Sequence, residues 1–428
     1  MGNTIKFKAQ ASDLNAAVDM VRIVQPRAIT PQGNTGYLLV VRKDEAGNDV
    51  CNIYSQDALR VARASFPITD VEGEGPFIYP AQHIDAFKFV DGTGSFTAQS
   101  EGDAFTVSYD FGKGTGGKRS TFDPRLLGTC DKELEAATNP REFPVSLLKE
   151  GMRLSQPFTA EEKDTHVEEN LKTFQVFDAS NPEFTKGDGY LYASTGVQAF
   201  YLFSDEFQGK PLSLHGQHFS VFAQFLAKCE GTIKVLTGAN KTFAQDSKGR
   251  VIGWAHHKKT YTSFSYPKLS LDKTVLLVDK TPLLNSLSFT ASELSPTRNK
   301  IRVEFDHTAP ALRFRVTEAD SQSTSPSVAV EIPVGPDGKP MSEGRDIQTN
   351  VNIEHLVELF KNSKSEKVEL RVMTVPTENG KEKVMLRTID EFWLDNKGHV
   401  VGGSGIEAGK EPKDAYKCKV TRIMQDMG

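Results

Sequence analysis

The stretch Ile5-Lys6-Phe7-Lys8-Ala9-Gln10-Ala11-Ser12-Asp13-Leu14-Asn15-Ala16-Ala17-Val18-Asp19-Met20-Val21 changes period in its middle. From Ile5 to Ala9, apolar residues alternate with polar ones at the period of two that a strand with one buried face requires. From Ser12 onward, in SDLNAAVDMVRIV, the apolar residues fall three and four apart, and the serine stands where a helix start favours a capping hydroxyl. A strand running straight into a short helix is therefore the first unit of the chain. Helix-like segments begin near Ser12, His83, Ser146, His218, Thr281 and Glu354, each after a strand-like run, at intervals of 71, 63, 72, 63 and 73 residues. Long and short steps alternate, and any two consecutive steps span about 135 residues, a period of the length expected for a repeated domain.

That placement predicts three tandem copies of one α+β domain, each internally duplicated, over residues 1–138, 139–267 and 268–428. Most of each copy reads as short alternating strands, such as Tyr37 to Arg42, Thr173 to Phe177, Thr232 to Leu236 and Lys300 to Phe305. The copies meet at short taut linkers, Glu135-Ala136-Ala137-Thr138-Asn139-Pro140 and Tyr266-Pro267-Lys268. In the third copy, residues 335–345 and 396–413 are rich in Gly and Lys and lack periodicity, and read as surface loop insertions.

With 428 residues and 38% hydrophobic side chains, the chain has material for several cores. Lys and Arg number 51 against 56 Asp and Glu, a formal charge of −5, which excludes a protein that coats nucleic acid with a uniformly basic surface. Any DNA contact must be local. No apolar signal region opens the sequence and no run approaches the ~18 apolar residues of a membrane span, so no membrane association is expected. Cys51, Cys130, Cys229 and Cys418 lie far apart without a C-x-x-C pair, as expected of reduced thiols in a cytoplasmic protein.

Several stretches imitate chemistry. Gly112-Lys113-Gly114-Thr115-Gly116-Gly117-Lys118 approaches a phosphate-binding loop, but Arg119 follows where Ser or Thr must hold Mg²⁺, and the next residues continue as a strand; a hairpin loop is expected. Gly403-Ser404-Gly405 with Gly409 lacks the surrounding strand–helix–strand of a dinucleotide site. His256-His257 has no third ligand at metal-binding spacing, the acidic run around Glu161 sits in an unpatterned polar stretch, and no G-x-S-x-G elbow occurs. No catalytic cluster, metal or cofactor is therefore expected, which disfavours a β-rich hydrolase. A β-rich viral structural or interaction protein is one reading of such a chain, although it would not need helices at alternating intervals.

The layout resembles the bacterial DNA sliding clamp, the β subunit of the replicative DNA polymerase. Ile5 to Gln10 leading into Ser12 is similar to that family's opening, Arg27 with Pro31 before Tyr37-Leu38-Leu39-Val40 resembles its Arg-x-x-x-Pro, and Ser55-Gln56-Asp57-Ala58-Leu59 its Thr-Asp-Leu turn. Ala193-Ser194-Thr195-Gly196-Val197-Gln198-Ala199 resembles Ala-Thr-Asp-Gly-His-Arg-Leu with the His-Arg pair absent. Ala415 to Ile423 resembles the closing Tyr-x-x-x-Pro-Met-Arg-Leu, with Val420-Thr421 in place of Pro-Met. Such divergence suits a viral or remote member.

The resemblance implies a non-enzymatic processivity factor: a head-to-tail homodimeric ring, helices lining the hole and sheets outside, that slides on double-stranded DNA after a clamp loader places it there and tethers a DNA polymerase. It implies non-specific phosphate contacts from helix-side cations, here Arg22, Arg27, Lys149, Arg153, Lys228, Lys361 and Lys364. It also implies a cleft for a partner peptide with aliphatic and aromatic anchors. The matching positions are Ser194, Gly196, Val197, Gln198 and Ala199, Pro267 in the linker, and Cys418, Val420, Thr421, Arg422 and Ile423 of the last strand, whose end is expected to stand free as a pocket wall.

Overall fold

The computed structural model describes residues 4–29, 31, 33–159, 172–177, 189–195, 198–256, 272–295, 298–317, 322–376, 382–403, 412 and 414–425. All six expected helices are there. They are α1 (Ala11–Val21), a 3₁₀ run (Ala81–Phe89), α3 (Val145–Ser155), α4 (Gly216–Ala227), α5 (Lys280–Ser292) and α6 (Ile353–Lys361), with a further short α2 (Asp131–Glu135). The second differs from an α-helix for a local reason. Ile84 and Phe87, its two buried side chains, are three residues apart, and a 3₁₀ helix stacks such residues on one face.

Along the chain, the order strand, helix, four or five strands, helix, three or four strands occurs three times, beginning at Thr4, Thr138 and Asp272. A residue-level echo accompanies it, because the third residue of each second helix is a histidine: His83, His218 and His355. The expected linker at Glu135–Pro140 is not a loop. Its first residue ends α2, and Thr138 to Pro140 already belong to strand Thr138–Pro144, which a bulge and the positive φ of Asn139 (53°) bend.

Chain contacts divide the molecule into two compact units, Met1–Val145 with Ser220–Lys259 and Ser146–Phe219 with Thr260–Gly428. The first unit holds two antiparallel sheets. One runs Thr69–Glu72, Thr4–Gln10, Thr93–Glu101, Ala104–Asp110, Gly116–Thr121. The glycine-rich stretch from Gly112 is the turn of its last hairpin, closed by the Phe111 and Thr115 amides, so the phosphate-loop imitation is a hairpin as expected. The other runs Thr138–Pro144, Thr232–Thr237, Lys241–Asp246, Val251–Ala255, Arg60–Pro67, Asp49–Gln56, Gly36–Lys43, Gly75–Pro80. It joins strands from two successive repeats over a common core of Leu38, Tyr54, Val61, Ile78, Phe243 and Val251.

Asp131, at the start of α2, fixes that helix against the strands of the first repeat. It accepts from the Tyr54 hydroxyl (2.5 Å), Arg63 (3.0 Å) and Arg42 (3.2 Å), while Glu133, two residues on, pairs with Lys241 (3.1 Å). Arg63 is largely buried, so removing its partner strands a charge; Asp131→Ala should lower unfolding free energy by about 3 kcal/mol, read from urea denaturation. A loss under about 0.5 kcal/mol would mark the node as a surface ornament.

The second unit holds one long antiparallel sheet: Leu212–His215, Thr173–Phe177, Gly189–Ser194, Gln198–Ser204, Tyr416–Gln425, Glu382–Leu394, Lys367–Pro376, Asp272–Asp279, Val328–Glu331, Ala311–Thr317, Lys300–Asp306, Ile347–Asn352. Of the two expected insertions, the first is tied down: Val334 bridges Pro340, and Met341 accepts from the Val275 amide. In the second, Val400–Gly403 returns as a strand on Phe392–Leu394, so this part is a hairpin rather than an irregular loop. All four cysteines are buried.

Candidate functional site

Each unit contains one join between successive repeats, built alike. In the first unit, Val251–Ala255 lies antiparallel to Arg60–Pro67, with Ile252 opposite Ala62 and Trp254 opposite Arg60. Phe222 of α4 packs on Trp254 (5.2 Å between ring centres), and α1 packs on the Arg60–Pro67 strand. In the second unit, Tyr416–Gln425 lies antiparallel to Gln198–Ser204, with Val420 opposite Leu202, Arg422 opposite Phe200 and Ile423 opposite Ala199. Here α3 and α6 meet below the strands at Glu150, which accepts from Arg153 (2.7 and 2.8 Å) and pairs with Lys364 just past α6 (3.1 Å). Burial pushes the Glu150 carboxyl up, but the two cations outweigh it and hold it below the usual range.

The last strand is thus not a free wall. It is bonded along its length, to Gln198–Phe203 on one side and Met385–Leu394 on the other, and Val420, Thr421, Arg422 and Ile423 are all buried. The sequence alternation of this strand was legible, but its two-sided pairing was not. Arg422 is fully buried; it donates to the Asn362 carbonyl (3.3 Å) at the end of α6 and lies 6.0 Å over the Phe200 ring. Burial pushes its guanidinium down to about 10, and its Nε and Nη1 have no hydrogen-bond partner among the described residues.

The expected cleft residues come together only in part. Ser194, Gln198 and Ala199 sit at a tight turn in which the Ser194 hydroxyl donates to the Gln198 carbonyl (2.7 Å) and the Gln198 amide to the Thr195 hydroxyl (3.1 Å). Gly196, Val197 and Pro267 lie outside the described residues. Cys418 is buried in the sheet, five positions from Ile423. Beside the turn is an open cleft of about 630 Å³ that sequence reasoning missed, formed by Thr195 and Gln198, Pro157 after α3, and Ile353, His355 and Glu358 of α6. The histidine repeat was the available signal, since it places His355 at the start of that helix.

The expected DNA-facing cations fall mostly into ion pairs. Arg22 is held by Asp85 and Asp19, Arg153 and Lys364 by Glu150, and Lys361 by Glu358 (3.6 Å). Arg27 donates to the Leu126 carbonyl (3.0 Å). Lys149 is on α3, and Lys228 is exposed after α4. Across the six repeated helices, Lys88, Lys149, Arg153, Lys280 and Lys361 face Asp13, Asp19, Asp85, Glu150, Glu354 and Glu358, so the set is nearly neutral.

No protein-family profile and no curated protein matches the sequence. Solved structures do. The DNA polymerase III subunit beta of Pseudomonas aeruginosa superimposes with a TM-score of 0.69 at 12% identity, covering 99% of this chain and 100% of that one. The chain has the sliding-clamp fold. The Thermotoga maritima beta subunit (TM-score 0.63, 15% identity, 98% and 99% covered) and that of Streptococcus pyogenes (0.65, 11%, 98% and 99%) share it. In this clamp fold the two joins described above are the places where one repeat continues the sheet of the next.

Proposed function

We propose that the chain is a DNA polymerase processivity factor: two copies close head to tail around duplex DNA, slide on it, and tether a polymerase, with residues 1–138, 139–267 and 268–428 as its three domains. The observation that carries this reading is a count of joins. Three repeats present three pairs of joining edges, and among the described residues two pairs are matched within the chain. The unmatched halves are strand Gly116–Thr121, at the open edge of the first sheet, and strand Gln322–Thr324, which among the described residues pairs only with Ala311–Thr317. A second copy supplies the missing partner for each, and heterologous edges of this kind generate closed rings when the rotation closes.

The helices below those edges favour the same occupant. At the internal join of the second unit, a first helix (α3) meets a second helix (α6); the equivalents left unmatched are α5 and the 81–89 helix. They carry Phe289 (43% exposed) and Phe89 (87% exposed), two of the few large apolar side chains in water, and a paired copy would bury both.

A ring holds DNA by topology, so near-neutral helices suffice and sliding is not opposed by strong phosphate contacts. A clamp loader and a cytoplasmic setting belong to the same reading. The test is retention: the protein, loaded on nicked circular DNA, should stay bound through gel filtration and be lost when the circle is linearised. Loss from both forms alike would sink encirclement and leave a structural or interaction protein.

Replacing Arg27, Lys149, Arg153 and Lys228 together by alanine should weaken loading and lower the slope of log affinity against log salt, by at most about one per cation. Binding unchanged at every salt concentration would place those cations away from the duplex.

A further inference from the structure

In each unit, one helix carboxylate holds two cations in the same way. Asp85, on the 81–89 helix, pairs with Lys88 three residues on (3.0 Å) and with Arg22 at the end of α1, which Asp19 also approaches (3.8 Å). Glu150, on α3, pairs with Arg153 three residues on (2.7 Å) and with Lys364 just past α6 (3.1 Å). Both times one cation comes from the carboxylate's own helix, at the spacing that puts it on the same face, and the other from the C-terminal end of a different helix. Between 27% and 49% of each of the four basic side chains faces water, so an anion from outside can reach all of them. Three of the four, Arg22, Arg153 and Lys364, are cations expected from the sequence to touch phosphate.

We propose that Asp85 and Glu150 are built-in competitors of the DNA phosphates, positioning residues that keep Arg22, Lys88, Arg153 and Lys364 from gripping the duplex and so keep the protein free to slide. Ion pairs this exposed contribute about 1 kcal/mol or less, so a phosphate can take the cation, but it must part the pair and then lie beside the carboxylate it displaced. The same carboxylate eases release: a cation leaving one phosphate returns to a waiting anion before it meets the next. Glu150 has a structural share as well, because its charge also acts on the buried Arg422. Asp85 is 60% exposed and is the cleaner site to test. The proposal rests on the clamp reading for its ligand, duplex DNA, while the two nodes are features of this chain alone.

The test is the salt dependence of binding to a fluorescein-labelled 30-base-pair duplex, read by fluorescence anisotropy with the full chain. Asp85→Asn should tighten binding about tenfold at 50 mM salt and steepen the slope of log affinity against log salt by about one to two, because it frees two cations and each phosphate contact contributes about 0.9. Adding Arg22→Ala and Lys88→Ala to that variant should bring the slope back to the parent's value or below it. Glu45→Gln, which removes the same charge from an exposed hairpin turn, should leave the slope unchanged. On stretched DNA the Asp85→Asn protein should diffuse at least threefold more slowly than the parent. A slope unaltered by Asp85→Asn, an equal steepening by Glu45→Gln, or a steepening that survives loss of Arg22 and Lys88 overturns the proposal. Retention of the parent on nicked circular DNA, measured separately, then shows whether the competitor alone has failed or the clamp reading with it.

Discussion

Single prolines at Lys118 and Arg119 should have opposite consequences: one dissociates the assembled protein into folded single chains, the other destabilises the first sheet. Among the described residues the strand Gly116–Thr121 is hydrogen-bonded on one side only, with Lys118 opposite Ser108 and Arg119 opposite Val107. Adjacent residues of an antiparallel strand direct their amides to opposite sides, so one of these two N–H groups bonds the neighbouring strand and the other points to the open edge. Proline deletes an amide hydrogen and adds a ring. At the inward position it breaks a ladder bond that the single chain has already made. At the outward position it blocks the edge that a second copy would use. Losing two or three intersubunit hydrogen bonds and the close approach around them corresponds to roughly 2–3 kcal/mol, a dissociation constant raised thirty-fold or more.

Light scattering should then give the 47.2 kDa of one chain at concentrations where the parent gives twice that. Phe89→Glu and Phe289→Glu should do the same without touching either strand, because each places a carboxylate where the paired helices would exclude water. If all four variants keep the parent's mass, the open edges are not where copies meet; if the parent is itself a single chain at micromolar concentration, the head-to-tail assembly fails outright.

The second large effect concerns the end of the chain. Deleting residues 421–428 should abolish cooperative folding of the second unit, not merely remove a pocket wall. The deletion takes away Arg422, Ile423 and Met424, all buried, from a strand bonded on both sides. Ile423 belongs to a cluster with Tyr190, Tyr192, Tyr201, Phe203 and Met373. Emptying sites of this kind costs about 2–5 kcal/mol each, and two or three of them reach the whole stability of an ordinary domain. Hydrogen exchange read at Gly189–Ser204 should change from protected to fast, with the Thr4–Gln10 and Thr93–Glu101 strands unaffected. Native-like protection in that hairpin after truncation would mean that the Glu382–Leu394 strand re-pairs with Gln198–Ser204 directly. Because truncation removes fold and cleft together, only point variants such as Gln198→Leu separate partner binding from stability.

The period of the helices was written in the sequence. It follows from local rules, since a strand that runs into a helix changes its apolar spacing wherever it occurs, and six such changes at alternating intervals are visible without any tertiary information. The recurrent histidine at 83, 218 and 355 was equally visible and would have aligned the repeats more sharply than spacing alone. One neutralised cation was also legible, because Glu150 stands three residues before Arg153 on a single helix face.

What only the tertiary structure decided depends on residues far apart in the chain. Lys364 reaches the same Glu150 across more than two hundred positions, which places a residue expected to contact phosphate in a partly buried ion cluster. The last strand reads as a half-buried edge when its alternation is taken alone, yet it is central, because its partners, Gln198–Ser204 and Met385–Leu394, come from different repeats. Backbone hydrogen bonds carry no side-chain signature, so no pattern of apolar residues says which strand lies beside which. The same is true of the open edges at Gly116–Thr121 and Gln322–Thr324, and of the cleft, where Gln198, Pro157 and α6 come together from distant parts of the chain.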